Sequence, residues 1–448
     1  MNKHSNTTAT VQPRGTIRRW RMQIFAITWL AYAGFYFTRK AFSVAKLGIT
    51  EDPTFHLDKM AMANLDALYL TAYAVGQFAW GVLADRFGPR VVVCGGLIIS
   101  ALAALAMGTF ATLPIFATCM LVQGLAQSTG WSGLCKNLGS FYPNEQRGRV
   151  FGLWSTCYAF GGLVASPFAG WWAYTVYHSW QAAFISSAAA VGVVALLFIV
   201  FQRNKPEDVG LPAVEPEAAQ DTAGNGRKES LLAPFLTVMR NRTVMTLGLA
   251  YFLLKPARYA ILLWGPVIVY ERMPSVGKVG AAIIPTAFEL AGLLGPILIG
   301  LASDKLFGAR RMPACVISLA ALTASLFLFM PAMHTGSVMI VVALLFVMGL
   351  TLYGPDSMIC GAAAIDFGTS KAAGTATGFV NGCGSVGAIL GGLLPGYFDT
   401  ATVFQVFTGC AVVSTVMLVP YWNSRPTVLS AGQTAVPNTR VQFKALRV

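Results

Sequence analysis

GVLADRFGPR, residues Gly81–Arg90, is answered later in the chain by GLASDKLFGARR, residues Gly300–Arg311. Each copy follows an apolar run and combines a leading glycine, an acid, a cation, a second glycine and a closing arginine. The step from Asp85 to Asp304 is 219 residues, close to half of the 448-residue chain. Arg39 and Arg258, each inside an apolar run, stand the same 219 residues apart. Two unrelated features that share one offset indicate an internal duplication.

The composition agrees with a chain built for lipid. Hydrophobic residues make up 55% and charged residues 11%, where soluble domains carry about 25% charge. A water-facing surface of ordinary size cannot be covered by so few charges, so a soluble multidomain enzyme is excluded. A spanning helix needs about 20 mostly apolar residues. Twelve such runs are centred near residues 33, 73, 100, 125, 162, 191, 256, 290, 321, 348, 385 and 411. They predict an all-α membrane protein of two pseudo-symmetric six-helix halves. The expected parts are a tail over 1–21, a first bundle over 22–202, a polar linker over 203–242, a second bundle over 243–422 and a tail over 423–448. The linker is rich in Pro, Glu, Ala and Gly and has little apolar surface to bury. The first apolar run, from Met22, is too long for a secretory leader and reads as a retained helix.

The 32 Lys and Arg exceed the 18 Asp and Glu by 14. Most of these cations fall in the two tails and in alternate loops, which by the positive-inside rule places both termini in the cytoplasm of a cell inner membrane. Lys46, Lys59, Arg272 and Lys278 fall near the opposite face. A nucleic-acid partner does not fit cations divided among short loops. The eight Cys form no CxxC pair and the four His no ligand spacing, so neither a metal nor any other cofactor is expected. No nucleophile–base pair, Walker loop or dinucleotide fingerprint points to an enzyme.

Four cations remain inside apolar runs: Arg39, Lys40, Lys255 and Arg258. A cation in the bilayer interior costs several kcal/mol and persists where it faces a cavity, a partner or a ligand. The duplication places Arg39 and Arg258 at equivalent points, facing one central cavity. Two guanidiniums there repel unless an anion lies between them, and guanidinium matches phosphate or carboxylate with paired N–H donors. Acids that neutralise each arginine separately are the alternative. In the repeated loop, Gly81, Asp85, Arg86, Arg90, Gly300 and Asp304 suit a conformational latch. Its glycines would let helices approach closely, and its acid would accept from a helix N-terminus or a nearby base.

YFTRKAF (Tyr36–Phe42) is similar to the first-helix motif of the organophosphate:phosphate antiporters of the major facilitator superfamily. Gly130-Trp131, RYAIL (Arg258–Leu262) with Trp264, Glu289, LYGP (Leu352–Pro355) and KAAGTATGF (Lys371–Phe379) extend the resemblance over roughly residues 20–425. It implies the major facilitator fold, phosphate binding by Arg39 and Arg258, and a cavity lined by Tyr353 and Trp131. It further implies alternating access, in which inorganic phosphate leaves as an organophosphate enters, by a monomer in the bilayer. The same family holds a membrane sensor of sugar phosphate, and a proton-coupled organic-anion carrier using Asp66, Glu289 or Asp356 is a further alternative.

This chain departs from the glycerol-phosphate carrier pattern in four places. Gln77 stands where that pattern has lysine and Tyr158 where it has histidine, while Asp66 and Asp356 replace apolar residues. Asp66, Tyr69, Tyr73 and Gln77 share one helix face, as do Gln123, Gln127 and Trp131, and Tyr353, Asp356 and Cys360. Such stripes suit a wet cavity wall or hydrogen bonds between helices. The two aspartates could receive the ammonium group of an aminoalkyl phosphate or phosphonate, or they could neutralise Lys40 and Lys255. The second role is expected.

Overall fold

A computed structural model describes residues 14–214, 239–308, 310–363 and 373–424. Among these residues every regular element is helical. That follows from the solvent: in hydrocarbon each backbone N–H and C=O must be satisfied within its own segment. Much of the expected tails and linker, and Lys371 of the expected family motif, lie outside the described residues.

The first half of the chain forms α1 (Arg14–Ile49), α2 (Lys59–Phe87), α3 (Pro89–Thr109), α4 (Leu113–Gln127), α5 (Thr129–Phe141), α6 (Asn144–Trp154), α7 (Thr156–Trp171) and α8 (Gln181–Phe201). The second half forms α9 (Arg242–Arg272), α10 (Gly277–Ile283), α11 (Thr286–Lys305), α12 (Arg311–His334), α13 (Val338–Ser357), α14 (Ala373–Tyr397) and α15 (Thr400–Leu418). Eight helical segments among the described residues are long and apolar enough to cross a membrane. α1 and α2 carry charges along their length, and α4–α5 and α6–α7 are interrupted at Ser128 and Ser155. The more polar helices are those that build the interior. Lipid-facing positions such as Leu102, Leu196, Val200 and Phe327 leave large apolar side chains outward.

The halves meet along α1 and α9, α2 and α14, and α7 with α10 and α11. Glycines permit the closest crossings. A Cβ on Gly396 of α14 would lie 2.2 Å from Ala63 of α2, and one on Gly170 of α7 would lie 2.7 Å from Ala282 of α10. These crossings sit on the face away from the chain ends, where α1 finishes and α2 begins. Lys59 pairs there with Glu271 at 2.6 Å, Lys278 with Glu51 at 2.7 Å, and Tyr397 donates to Asn64 at 2.9 Å. Each bond joins one half to the other, so that face is shut. Beside it, hydrogen bonds from Thr54 and Trp180 hold the Asp52 carboxyl down to about 2.

On the opposite face the repeated loops behave as a pair only in part. Gly88 and Gly308 both adopt positive φ, 80° and 56°, a turn open to glycine. Asp304 pairs with Arg311 at 2.6 Å, inside its own loop. Arg90 donates its backbone N–H to Asn204 and its side chain to the Ile199 carbonyl near the end of α8. Arg86 is exposed beside Phe87. Gly81 and the side chain of Asp85 lie outside what is described. At Gly300 a Cβ would meet nothing within 4 Å among the described residues.

Candidate functional site

A cavity of about 650 Å³ separates the halves. It reaches from Arg39 and Arg258 to Phe151 and Ser155 at the α6–α7 junction and to Thr377 and Gly378 near the start of α14. The end of α14 lies in the shut face, so its start points away from it, toward the face where Arg21 of α1 donates to the Phe141 carbonyl at 2.8 Å. The cavity therefore opens toward the face that carries the chain ends. A shallower depression of about 710 Å³ on the shut face, lined by residues such as Glu51, His178 and Lys278, holds none of the buried arginines.

Arg39 is 5% exposed and Arg258 9%. Each guanidinium lies between two tyrosine rings, Arg39 over Tyr36 and Tyr73 at 4.6 and 5.0 Å, Arg258 over Tyr353 and Tyr158 at 4.5 and 5.2 Å. The ring faces offset part of the cost of desolvating the cations. Arg39 Nε donates to Gln127 Oε1 at 3.0 Å. Tyr69 donates to the same oxygen at 2.7 Å, and Gln127 in turn donates to Thr38. No carboxylate reaches Arg39 among the described residues, and its buried Nη2 has no partner. Arg258 differs. Its Nη1 donates to Asp356 Oδ2 at 2.8 Å, and Lys255 Nζ lies 3.0 Å from the other oxygen of that carboxylate.

The expected site residues therefore divide. Arg39, Tyr73, Gln77, Trp131, Tyr158, Lys255, Arg258 and Asp356 line the cavity together. Tyr353 sits behind Arg258 and donates to Glu289, and Gln127 sits behind Arg39. Lys40 donates to the Leu262 carbonyl at 2.9 Å and lies 3.6 Å from Glu289. Leu262 offers that carbonyl because Pro266, four residues on, has no N–H to bond it. Ser43 uses the same oxygen at 3.3 Å.

Two expectations are corrected. Asp66 neutralises Lys46 and not Lys40, whose carboxylate is Glu289. Lys46 itself, expected near the membrane face opposite the tails, is fully buried. The reason is spacing: Lys46 lies six residues past Lys40, nearly two turns further along α1, level with the start of α2 where Asp66 projects. The stripes on α2 and across α4–α5 are accordingly wet only at one end, and their other members hydrogen-bond between helices.

The cavity also holds residues that the motifs had not singled out: Tyr32, Tyr251, Asn381 and Ser385. A signal for two of them was available. Tyr32 and Tyr251 stand 219 residues apart, each seven before its arginine.

This architecture, two halves that share one gated polar cavity, is that of a membrane carrier. The chain matches the Major Facilitator Superfamily over residues 28–392, with a further match over 275–448, and belongs to that superfamily. It is a multi-pass carrier-class membrane protein and not an enzyme. It is 31% identical to the membrane sensor protein UhpC of Escherichia coli, over 91% of this chain and 93% of that protein. It is 28% identical to a probable hexose phosphate transport protein of Chlamydia trachomatis, over 90% of this chain and 91% of that one. A solved bacterial homologue of the human lysosomal transporter Spinster shares the fold at a TM-score of 0.69 and 16% identity, over 90% of this chain and 96% of that one.

Proposed function

We propose that this protein exchanges an organophosphate for inorganic phosphate by alternating access, with the phosphate group bridging Arg39 and the Arg258–Lys255 pair. The observation that carries the reading is charge. Among the described residues the cavity is lined by three cations, Arg39, Lys255 and Arg258, and by one carboxylate, Asp356, so two positive charges are uncompensated there. A phosphate monoester near neutral pH carries close to two negative charges and offers acceptors for the unpartnered Nη2 of Arg39. Like charges a few Å apart at an effective dielectric near 20 cost about 2–4 kcal/mol. Closing an empty cavity confines that repulsion, and closing a loaded one relieves it, which makes exchange obligatory.

The reading includes twelve spans in two bundles, residues 22–202 and 243–422, joined by a cytoplasmic linker over 203–242. It places the tails, 1–21 and 423–448, in the cytoplasm, and the protein in the inner membrane as a monomer. The cavity is then open to the cytoplasm. The relatives named for hexose phosphate transport support a sugar phosphate as the organic partner. Asp356 and Asp66 are both occupied by lysines, which supports neutralisation over binding of a substrate ammonium group.

A second reading is a membrane sensor of the same ligand, favoured by 31% identity to UhpC. One experiment separates the two. Proteoliposomes loaded with phosphate should take up labelled phosphate, and sugar phosphates should compete. Comparable uptake into phosphate-free vesicles would sink the exchange mechanism. Ligand binding without any exchange would select the sensor, and dependence on a pH gradient would select a proton-coupled carrier.

A further inference from the structure

Lys46 and Asp66 are buried completely, at 0% and 1% exposure, in the shut seam between the halves. A buried ion pair is a poor way to gain stability, since desolvation consumes most of the attraction and an apolar pair of similar volume often does as well. Its partners are divided in a telling way. Asp66, on α2, belongs to the same half as Lys46. The Phe42 ring of α1 lies 4.9 Å away on the same side, and the closer contacts come from α9 of the second half: the Leu263 carbonyl accepts from Nζ at 3.2 Å, and the Trp264 ring lies 3.7 Å away. Trp264 is held by its own bond to the Gly392 carbonyl at 2.9 Å, and Gly392 packs on Asp66 so closely that a Cβ would lie 3.1 Å from it. The contacts from the second half, Leu263, Trp264 and Gly392, thus close over the pair, while Asp66 and Phe42 belong to its own half.

Lys46 also lies on the same stripe of α1 as Arg39. Positions 39, 43 and 46 follow at i, i+4 and i+7, and seven residues of helix rise about 10 Å. Arg39 lines the cavity that is open now, and Lys46 stands beyond it toward the shut face.

We infer that Lys46 is a second anion-binding residue, uncovered when the shut face opens, where it receives the phosphate group before Arg39 does. The inference rests on the exchanger reading. When the halves part on that side, Leu263 and Trp264 leave with α9, and Asp66 stays. An ammonium has three N–H donors. Asp66 retains one and fixes the side chain, and the other two face the new vestibule. With Asp66 beside it the site holds an anion weakly, which suits a residue that passes ligand onward. In the shut state the same carboxylate keeps the buried lysine neutralised.

The test is exchange of inorganic phosphate in proteoliposomes of known orientation, with KM measured separately at each face. Removing only Lys46 would strand a buried carboxylate, so the variant is Lys46→Met with Asp66→Leu, accompanied by Lys46→Arg with Asp66 retained. The double variant should raise KM at the outer face about tenfold, the worth of one charge-assisted contact, and at the inner face by less than twofold. The Lys46→Arg variant should restore most of the outer-face affinity. Equal changes at both faces, or none, in a protein whose wild type exchanges normally would overturn the inference alone. A wild type that does not exchange phosphate would overturn the exchanger reading and this inference with it.

Discussion

Arg39 and Arg258 occupy the same place in the two repeats, yet their surroundings differ. Both are buried, both lie between tyrosine rings, and both face one cavity. Arg258 shares Asp356 with Lys255, while Arg39 is hydrogen-bonded, among the described residues, by the neutral Gln127 alone. The repeat sets the positions of the cations, and the residues around them, which do not repeat, set their counter-ions. A strictly symmetric pair would bind an anion equally from both halves. This pair has one arginine held ready without a counter-charge and one whose charge is moderated and shared.

The comparison can be broken at several points. The largest effect should follow Arg39→Gln, which removes the arginine that no carboxylate offsets. Phosphate affinity should fall about a hundredfold or more, and exchange should be lost with it, as read by binding to the purified protein and by counterflow. If Arg258→Gln proved far more damaging than Arg39→Gln, the asymmetry would be misread. Next comes Asp356→Asn, which adds an uncompensated positive charge to the cavity. Phosphate should bind about fivefold tighter while the ligand-free protein loses about 3 kcal/mol of stability, because Lys255 and Arg258 are left buried and repelling. A thermal unfolding series with and without phosphate reads both. The smallest effect belongs to Glu51→Gln at the shut face. Its partner Lys278 is partly exposed, and such pairs contribute at most about 1 kcal/mol. Affinity at the open cavity should not change, and the shut face should open less than about fivefold more often, measured by access of a membrane-impermeant reagent.

Much of this was legible in the chain itself. The 219-residue step placed Arg39 opposite Arg258 and aligned the two loops. The helical spacing found Tyr73, Gln77, Asp356 and Cys360 as cavity residues. It also credited Asp66 and Gln127 to the cavity wall, where each instead supports another side chain. A periodic stripe shows which residues share a face of one helix. It does not show where along that face the neighbouring half closes down and where it stands away. Gly300 illustrates the same limit: a glycine suited to close approach is present, and among the described residues nothing approaches it.

By itself, then, the sequence determined the helical class, the duplication and the two buried arginines, because apolar run length and residue spacing are local properties of the chain. Tertiary structure alone decided the pairing of the buried charges. Lys40 meets Glu289 and Arg258 meets Asp356 across 249 and 98 residues. Lys46 meets Asp66 across only 20, from the neighbouring helix. Each pairing depends on how far one helix is displaced along another, by a turn or less, and neither hydropathy nor periodicity records that displacement. It is also what assigns Lys46 to the seam between the halves rather than to the membrane surface.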